Sequence, residues 1–153
     1  MAPRPVLTLA VLAVAAAAVA RAQAPRPAPR RPAAAFTVVE ATIPEMRRAL
    51  ETGRVTSVEL VRQSLSRIGM YDSTLHATLY VNRQALAEAE TRDREMRLRR
   101  VRGPLHGIPV AVKDNIQTTT MPTTGGALAF AGFVPPYEAT LVTHLRDAGA
   151  IVL

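Results

Sequence analysis

The sequence predicts an α/β fold on three observations. Residues 108–112 and 151–153 are short apolar runs rich in β-branched residues, which read as buried strands. Between them, Leu141, Val142, Leu145 and Ala148 fall at helical spacing and Gly149 closes the pattern, so the order is that of a parallel βαβ unit with a right-handed crossover. Upstream, two helix-capping signatures open amphipathic stretches able to cover such a sheet.

Thr42-Ile43-Pro44-Glu45 is a capping box with proline in the first turn, and Ile43, Met46 and Leu50 continue it as a short helix to about Thr52. Thr56-Ser57-Val58-Glu59 repeats the device. Val58, Val61, Leu65 and Ile68 form one apolar stripe, with Gly69 as the stop. Leu75, Ala77, Leu79 and Val81 alternate with His76, Thr78 and Tyr80, the period of a half-buried strand. Asn82 then caps a helix that carries Leu86, Ala89 and Met96 inward. Its outer face interleaves Arg83, Arg92, Arg94, Arg97, Arg99, Arg100 and Arg102 with Glu88, Glu90, Asp93 and Glu95. Mixed charges without an aromatic residue to stack on a base read as a solvated, ion-paired face, not a nucleic-acid surface.

The first 35 residues stand apart from this domain. A basic Arg4, an apolar run over 6–20 and Ala20-Arg21-Ala22 are the pattern of a secretory signal peptide over residues 1–22, with Gln23 as the new N-terminus. An organelle transit peptide is the rival reading. The apolar run is shorter than the roughly 20 residues of a membrane-spanning helix, so no stable anchor is expected after cleavage. Residues 23–35 are a Pro/Ala/Arg-rich linker, and the domain occupies 36–153. The net charge of +7 falls to +2 without Arg4, Arg21, Arg26, Arg30 and Arg31, which argues against a basic nucleic-acid-binding domain. With no cysteine, thiol catalysis and disulfides are excluded. Neither a phosphate loop nor a zinc pattern is present, so no cofactor and no metal are expected. His106, between Gly103 and Gly107, reads as a turn residue that satisfies backbone groups.

Lys113 is the only lysine among 153 residues, against 18 arginines, and it stands at the carboxyl end of the 108–112 strand, where open α/β sheets collect ligands. A lysine can lose its proton when desolvated, whereas an arginine cannot, so this position is open to general-base chemistry. Asp114 and Asn115 either direct the lysine from beside it or simply turn the chain.

The run G-P-L-H-G-I-P-V-A-V-K-D-N-I from Gly103, followed by M-P-T-T-G-G from Met121 and A-T-L-V-T-H-L-R-D-A-G-A from Ala139, resembles the opening of the amidase signature family. The likeness extends over about 42–153. It implies a layered α/β fold with a central mixed β-sheet flanked by helices, of which this chain holds the N-terminal part. It implies hydrolysis of a carboxamide bond in a small-molecule substrate by a nucleophilic serine, a bridging serine in a cis peptide and a lysine. Lys113 matches the lysine, and both serines belong to a Gly/Ser-rich segment further along. Thr123, Thr124, Gly125 and Gly126 match a loop that can approach the substrate. Ala127 departs from a frequent serine, and Glu138 from a usual aspartate suited to capping the next helix. On this reading, residues 36–153 alone are inactive and fold poorly. An amidotransferase A-subunit-like glutaminase and a non-catalytic module with an amidase-like fold are the alternatives; the amide cleaved and the oligomeric state are not readable.

Overall fold

The computed structural model describes residues 35–153; the signal-peptide reading and nearly all of the linker lie outside these residues. In chain order the elements are helix α1 (Ile43–Glu51), helix α2 (Ser57–Leu75), helix α3 (Ala85–Arg97), strand β1 (Pro109–Val110), a 3-10 turn (Leu128–Phe130), helix α4 (Thr140–Asp147) and strand β2 (Ile151–Val152). The strands pair in parallel, Pro109 opposite Ile151 and Val110 opposite Val152, with α4 in the crossover. The α/β expectation holds.

The two capping signatures start their helices as local chemistry dictates. Thr42 Oγ1 accepts from the Glu45 N–H at 3.4 Å while the Glu45 carboxylate accepts from the Thr42 N–H at 2.8 Å, and α1 ends at Thr52. At α2, Thr56 Oγ1 accepts from the Glu59 N–H at 3.1 Å. The remaining first-turn donors of α2 are met from another helix: Asp93 of α3 accepts from the N–H of Ser57 at 2.7 Å and of Val58 at 3.2 Å.

Helix α2 divides the core by alternating its sides. Leu60 packs with Ala49, Leu50, Val55 and Ile108, whereas Val61 packs with Ala85, Ala89 and Ile151. A third cluster joins Val142, Val152 and Met121, with Val112 and Ile116 against it. Loop and strand are therefore covered from both layers.

Several sequence expectations are corrected. Gly69 does not stop α2, because an interior glycine costs only about 1 kcal/mol and a stronger stop lies further on. His76 adopts φ +49° and donates its N–H to the Asp72 carbonyl, while the Asp72 carboxylate accepts from Ala77 and Thr78. The expected strand over 75–81 does not form: Leu75 closes α2, no strand among the described residues pairs with the rest, and Leu75 and Leu79 are exposed. Alternation without a partner strand leaves backbone groups to water. Gln84, not Asn82, is the N-cap of α3. Asn82 is buried instead, its Oδ1 accepting from the Gln84 N–H and its Nδ2 donating to Glu88 and to the Val152 carbonyl at 2.8 Å. Leu86 and Leu141 face outward, so α3 buries Ala85, Ala89 and Arg92, and α4 buries Val142. The 108–112 strand is paired only over Pro109–Val110 and is half-buried, because among the described residues it has one neighbouring strand.

Arg92 also leaves the outer face assigned to it. The residue is 6% exposed, and its guanidinium donates to the Gly149 carbonyl at 3.1 Å and meets Glu95 at 3.3 Å. Burial and the nearby Arg102 lower its pKa from the ordinary value, against the pull of Glu95 and Glu88. His106 is a turn residue, as its setting implies. Its Nδ1 faces the Arg102 N–H at 3.2 Å and must accept, which assigns the proton to Nε2, 3.0 Å from the Arg92 carbonyl. Glu138 caps nothing, since Ala139 is the N-cap of α4; its carboxylate pairs with Arg146 at 2.9 Å and accepts from Thr119.

Candidate active site

The chain leaves β1 through Ala111 and Val112 and reaches Lys113, where the sheet ends. Val112 packs inward, and the next side chain in extended backbone points the other way, so Lys113 is exposed. Its ammonium makes no ion pair among the described residues. Its carbonyl accepts from the Ile116 N–H at 2.9 Å, which turns the chain back toward the sheet.

Asp114 organises the loop over 123–126. Its carboxylate accepts from the Thr124 N–H at 3.0 Å, from the Thr124 hydroxyl and from the Gly126 N–H at 3.1 Å. Its carbonyl accepts from the Gly125 N–H at 3.3 Å. Burial pushes the Asp114 carboxyl up, but donation from the Thr124 hydroxyl and N–H, with Gly126 and Gly125, outweighs it and holds the carboxyl below the ordinary aspartate value. Gly125 and Gly126 take φ +58° and +80°, with open space where a side chain would stand, so it is backbone conformation, not close approach, that calls for glycine in this loop. The structure thus gathers Asp114, Thr124, Gly125 and Gly126 into one clasp beside Lys113. Asn115 is exposed and, with Thr123, Thr124 and Gly125, lines an open groove of about 600 Å³ whose apolar wall includes Ile116, Phe130, Phe133 and Leu141. Thr123 is held by donation of its N–H to the Phe133 carbonyl at 2.9 Å. The two phenylalanines escape sequence reasoning because they lie in a loop without a period; their i, i+3 spacing around the 3-10 turn was the only signal.

The clasp carries a pH prediction. A carboxyl whose folded pKa lies below the roughly 3.9 of an unfolded aspartate stabilises the fold fully above that value, and the contribution disappears as pH falls through the depressed one. Asp114→Asn therefore lowers the thermal midpoint at neutral pH, and the gap to the wild type narrows below about pH 4. A gap unchanged between pH 7 and pH 3 would show that the ionised carboxylate does not hold the loop.

The described residues thus place a lysine at the strand end of a parallel βαβ unit, with a Thr-Thr-Gly-Gly loop clasped beside it. The Amidase family model matches residues 59–153, and the chain belongs to the amidase signature family. It is 43% identical over 110 residues to the glutamyl-tRNA(Gln) amidotransferase A subunit of Rhodopirellula baltica, covering 71% of this chain and 22% of that protein. A probable amidase of Arabidopsis thaliana is 40% identical over 126 residues, covering 80% of this chain and 25% of that one. Among solved structures, native peptide amidase from Stenotrophomonas maltophilia superposes with a TM-score of 0.72 at 45% identity, over 74% of this chain and 24% of the peptide amidase. An amidase family protein from Bacillus anthracis does so with a TM-score of 0.71 at 38% identity, over 76% and 24%. The chain spans about a quarter of the length of the relatives it matches.

Proposed function

We propose that this chain is the lysine-bearing portion of a carboxamide hydrolase and that Lys113 is its general base. The observation that carries the reading is the place of Lys113: the chain's single lysine stands at the end of β1, next to the Asp114 clasp, inside the stretch that matches the family. A lysine acts as a base only where its surroundings disfavour the charged amine. The remaining three quarters of a family-length protein supply both the desolvation and the two serines. Lys113 then takes a proton from the bridging serine, which takes one from the nucleophile; the nucleophile attacks the amide carbon, and the protons return to the departing amine. Asp114 fixes the loop beside the backbone from which the lysine projects, Asn115 stands next to it at the groove, and Thr123 to Gly126 face the substrate.

The similarity to amidotransferase A subunits favours a second reading, in which glutamine is the amide cleaved. The product of the complete reading frame, assayed for ammonia release from glutamine and from simple carboxamides, separates the two. Turnover of simple carboxamides supports the first, turnover of glutamine alone supports the second, and no ammonia from any amide defeats both. We further propose export after cleavage at Ala22, supported by the leader pattern; a mature protein that retains Met1 would refute it.

A further inference from the structure

The acids of α3 leave most of the arginines beside them unpaired. Glu88 turns to Asn82 and Arg146, Asp93 to the first N–H groups of α2, and Glu95 to Arg92 and Arg102. Glu90 is exposed one turn before Arg94 but makes no ion pair with it. Arg94, Arg97, Arg99 and Arg100 are therefore exposed and without a carboxylate partner among the described residues, so of the arginines expected from sequence to be ion-paired only Arg92 and Arg102 find a carboxylate.

Beside these arginines stand Leu98, 58% exposed, and Val101, 52% exposed. The turn that presents them is well defined: Arg99 takes φ +57°, its N–H donates to the Met96 carbonyl at 2.9 Å, and the Arg100 N–H donates to the Glu95 carbonyl at 2.8 Å. This is the hydrogen-bond pair of a Schellman helix end, with arginine where glycine is usual.

We propose that the turn 94–101 is a docking surface for anionic phospholipid headgroups. Guanidinium groups meet phosphates by charge and by paired hydrogen bonds. Leu98 and Val101 can enter the boundary between headgroups and acyl chains, as apolar side chains of interfacial segments do. Nucleic acid fits less well, because the turn offers no aromatic ring for a base to stack on. The contact proposed for this turn is superficial and reversible, as for interfacial segments.

These 153 residues contain no cysteine, so in the product of the complete reading frame, with any cysteine outside them replaced, Leu98→Cys carrying an environment-sensitive fluorophore reports on this turn, whatever the N-terminal residues do at a bilayer. Leu128→Cys, at a site 90% exposed in the native chain, carries the same dye as a control. The expected result is a blue shift of the residue-98 dye with phosphatidylglycerol-containing vesicles, absent with pure phosphatidylcholine, diminished at about 1 M salt and not shared by the residue-128 dye. An arginine near an anionic surface is worth about fivefold in partitioning, so Arg97→Glu, Arg99→Glu and Arg100→Glu together weaken the response at least about a hundredfold. Circular dichroism verifies that this variant keeps its helices, and the single variant Arg97→Glu, at an exposed helix position, gives the same test with a smaller drop. Equal shifts with both lipids or both dyes, no shift with phosphatidylglycerol, indifference to the substitutions, or a shift with a single-stranded oligonucleotide in place of vesicles would each overturn the proposal.

Discussion

Lys113→Ala in the complete enzyme is expected to lower kcat for carboxamide hydrolysis by about 10³-fold or more while leaving the thermal transition near that of the wild type. The magnitude is that of a lost general base, about 10²–10⁴-fold, on a nucleophile that has no other activator. Stability is spared because the side chain holds no ion-pair partner among the described residues, and removing an amine that the rest of the protein desolvates relieves a cost of burial. Lys113→Arg separates charge from basicity. Arginine keeps the positive charge and much of the length, yet stays protonated under all assay conditions, so it is expected to be as inactive as alanine. Steady-state kinetics on one carboxamide across pH provides the check. An arginine variant with near-normal turnover would mean that the position needs a cation and not a base.

Gly149→Ala is expected to destabilise the fold by about 3 kcal/mol or more, a large part of the roughly 5–15 kcal/mol available to a domain. A Cβ at this position would lie 2.6 Å from the His106 Cα and 3.0 Å from its Cβ, and φ is +91°. The backbone is poorly placed to yield. The Gly149 carbonyl accepts from the Gly107 N–H at 2.9 Å and from Arg92 Nε at 3.1 Å, so a shift that relieves the collision loosens both. Gly132→Ala is the matched control, with φ +78° and open space around the added methyl. It carries the conformational penalty alone and is expected to cost about 1 kcal/mol. Urea denaturation of the two variants isolates the collision, and equal losses would show that close packing of the 149 turn on His106 is not what requires glycine.

The features of this fold that were legible in the sequence are written within a few residues of one another. The Thr42–Glu45 box and the Thr56 cap need only a hydroxyl and a carboxylate three positions apart, and both appear as expected. The βαβ unit was legible because two apolar runs and the helical spacing between them each carry a local signal. What failed depends on partners far along the chain. Alternation over 75–81 specifies a face but supplies no neighbouring strand. Arg92 looked like one more charged residue on an arginine-rich helix, and only the fold brings the Gly149 carbonyl to it, 57 positions away. At the candidate site, Lys113 stood out by being alone and at a strand end. The clasp did not, because a carboxylate that bonds to a loop ten residues later has no local pattern.

Asp93 couples two helices in a way that reaches beyond stability. A helix normally begins with donors that open and close on their own, so its first turn is the cheapest part of a protein to unfold locally. At α2 the first-turn donors of Ser57 and Val58 end on a carboxylate 36 and 35 positions later. The start of α2 cannot fray while α3 stays docked, and α3 cannot peel away without exposing that start. The low-energy partial openings in which either helix comes loose alone are thereby suppressed, and the pair behaves as one cooperative unit beneath the strand that leads to Lys113.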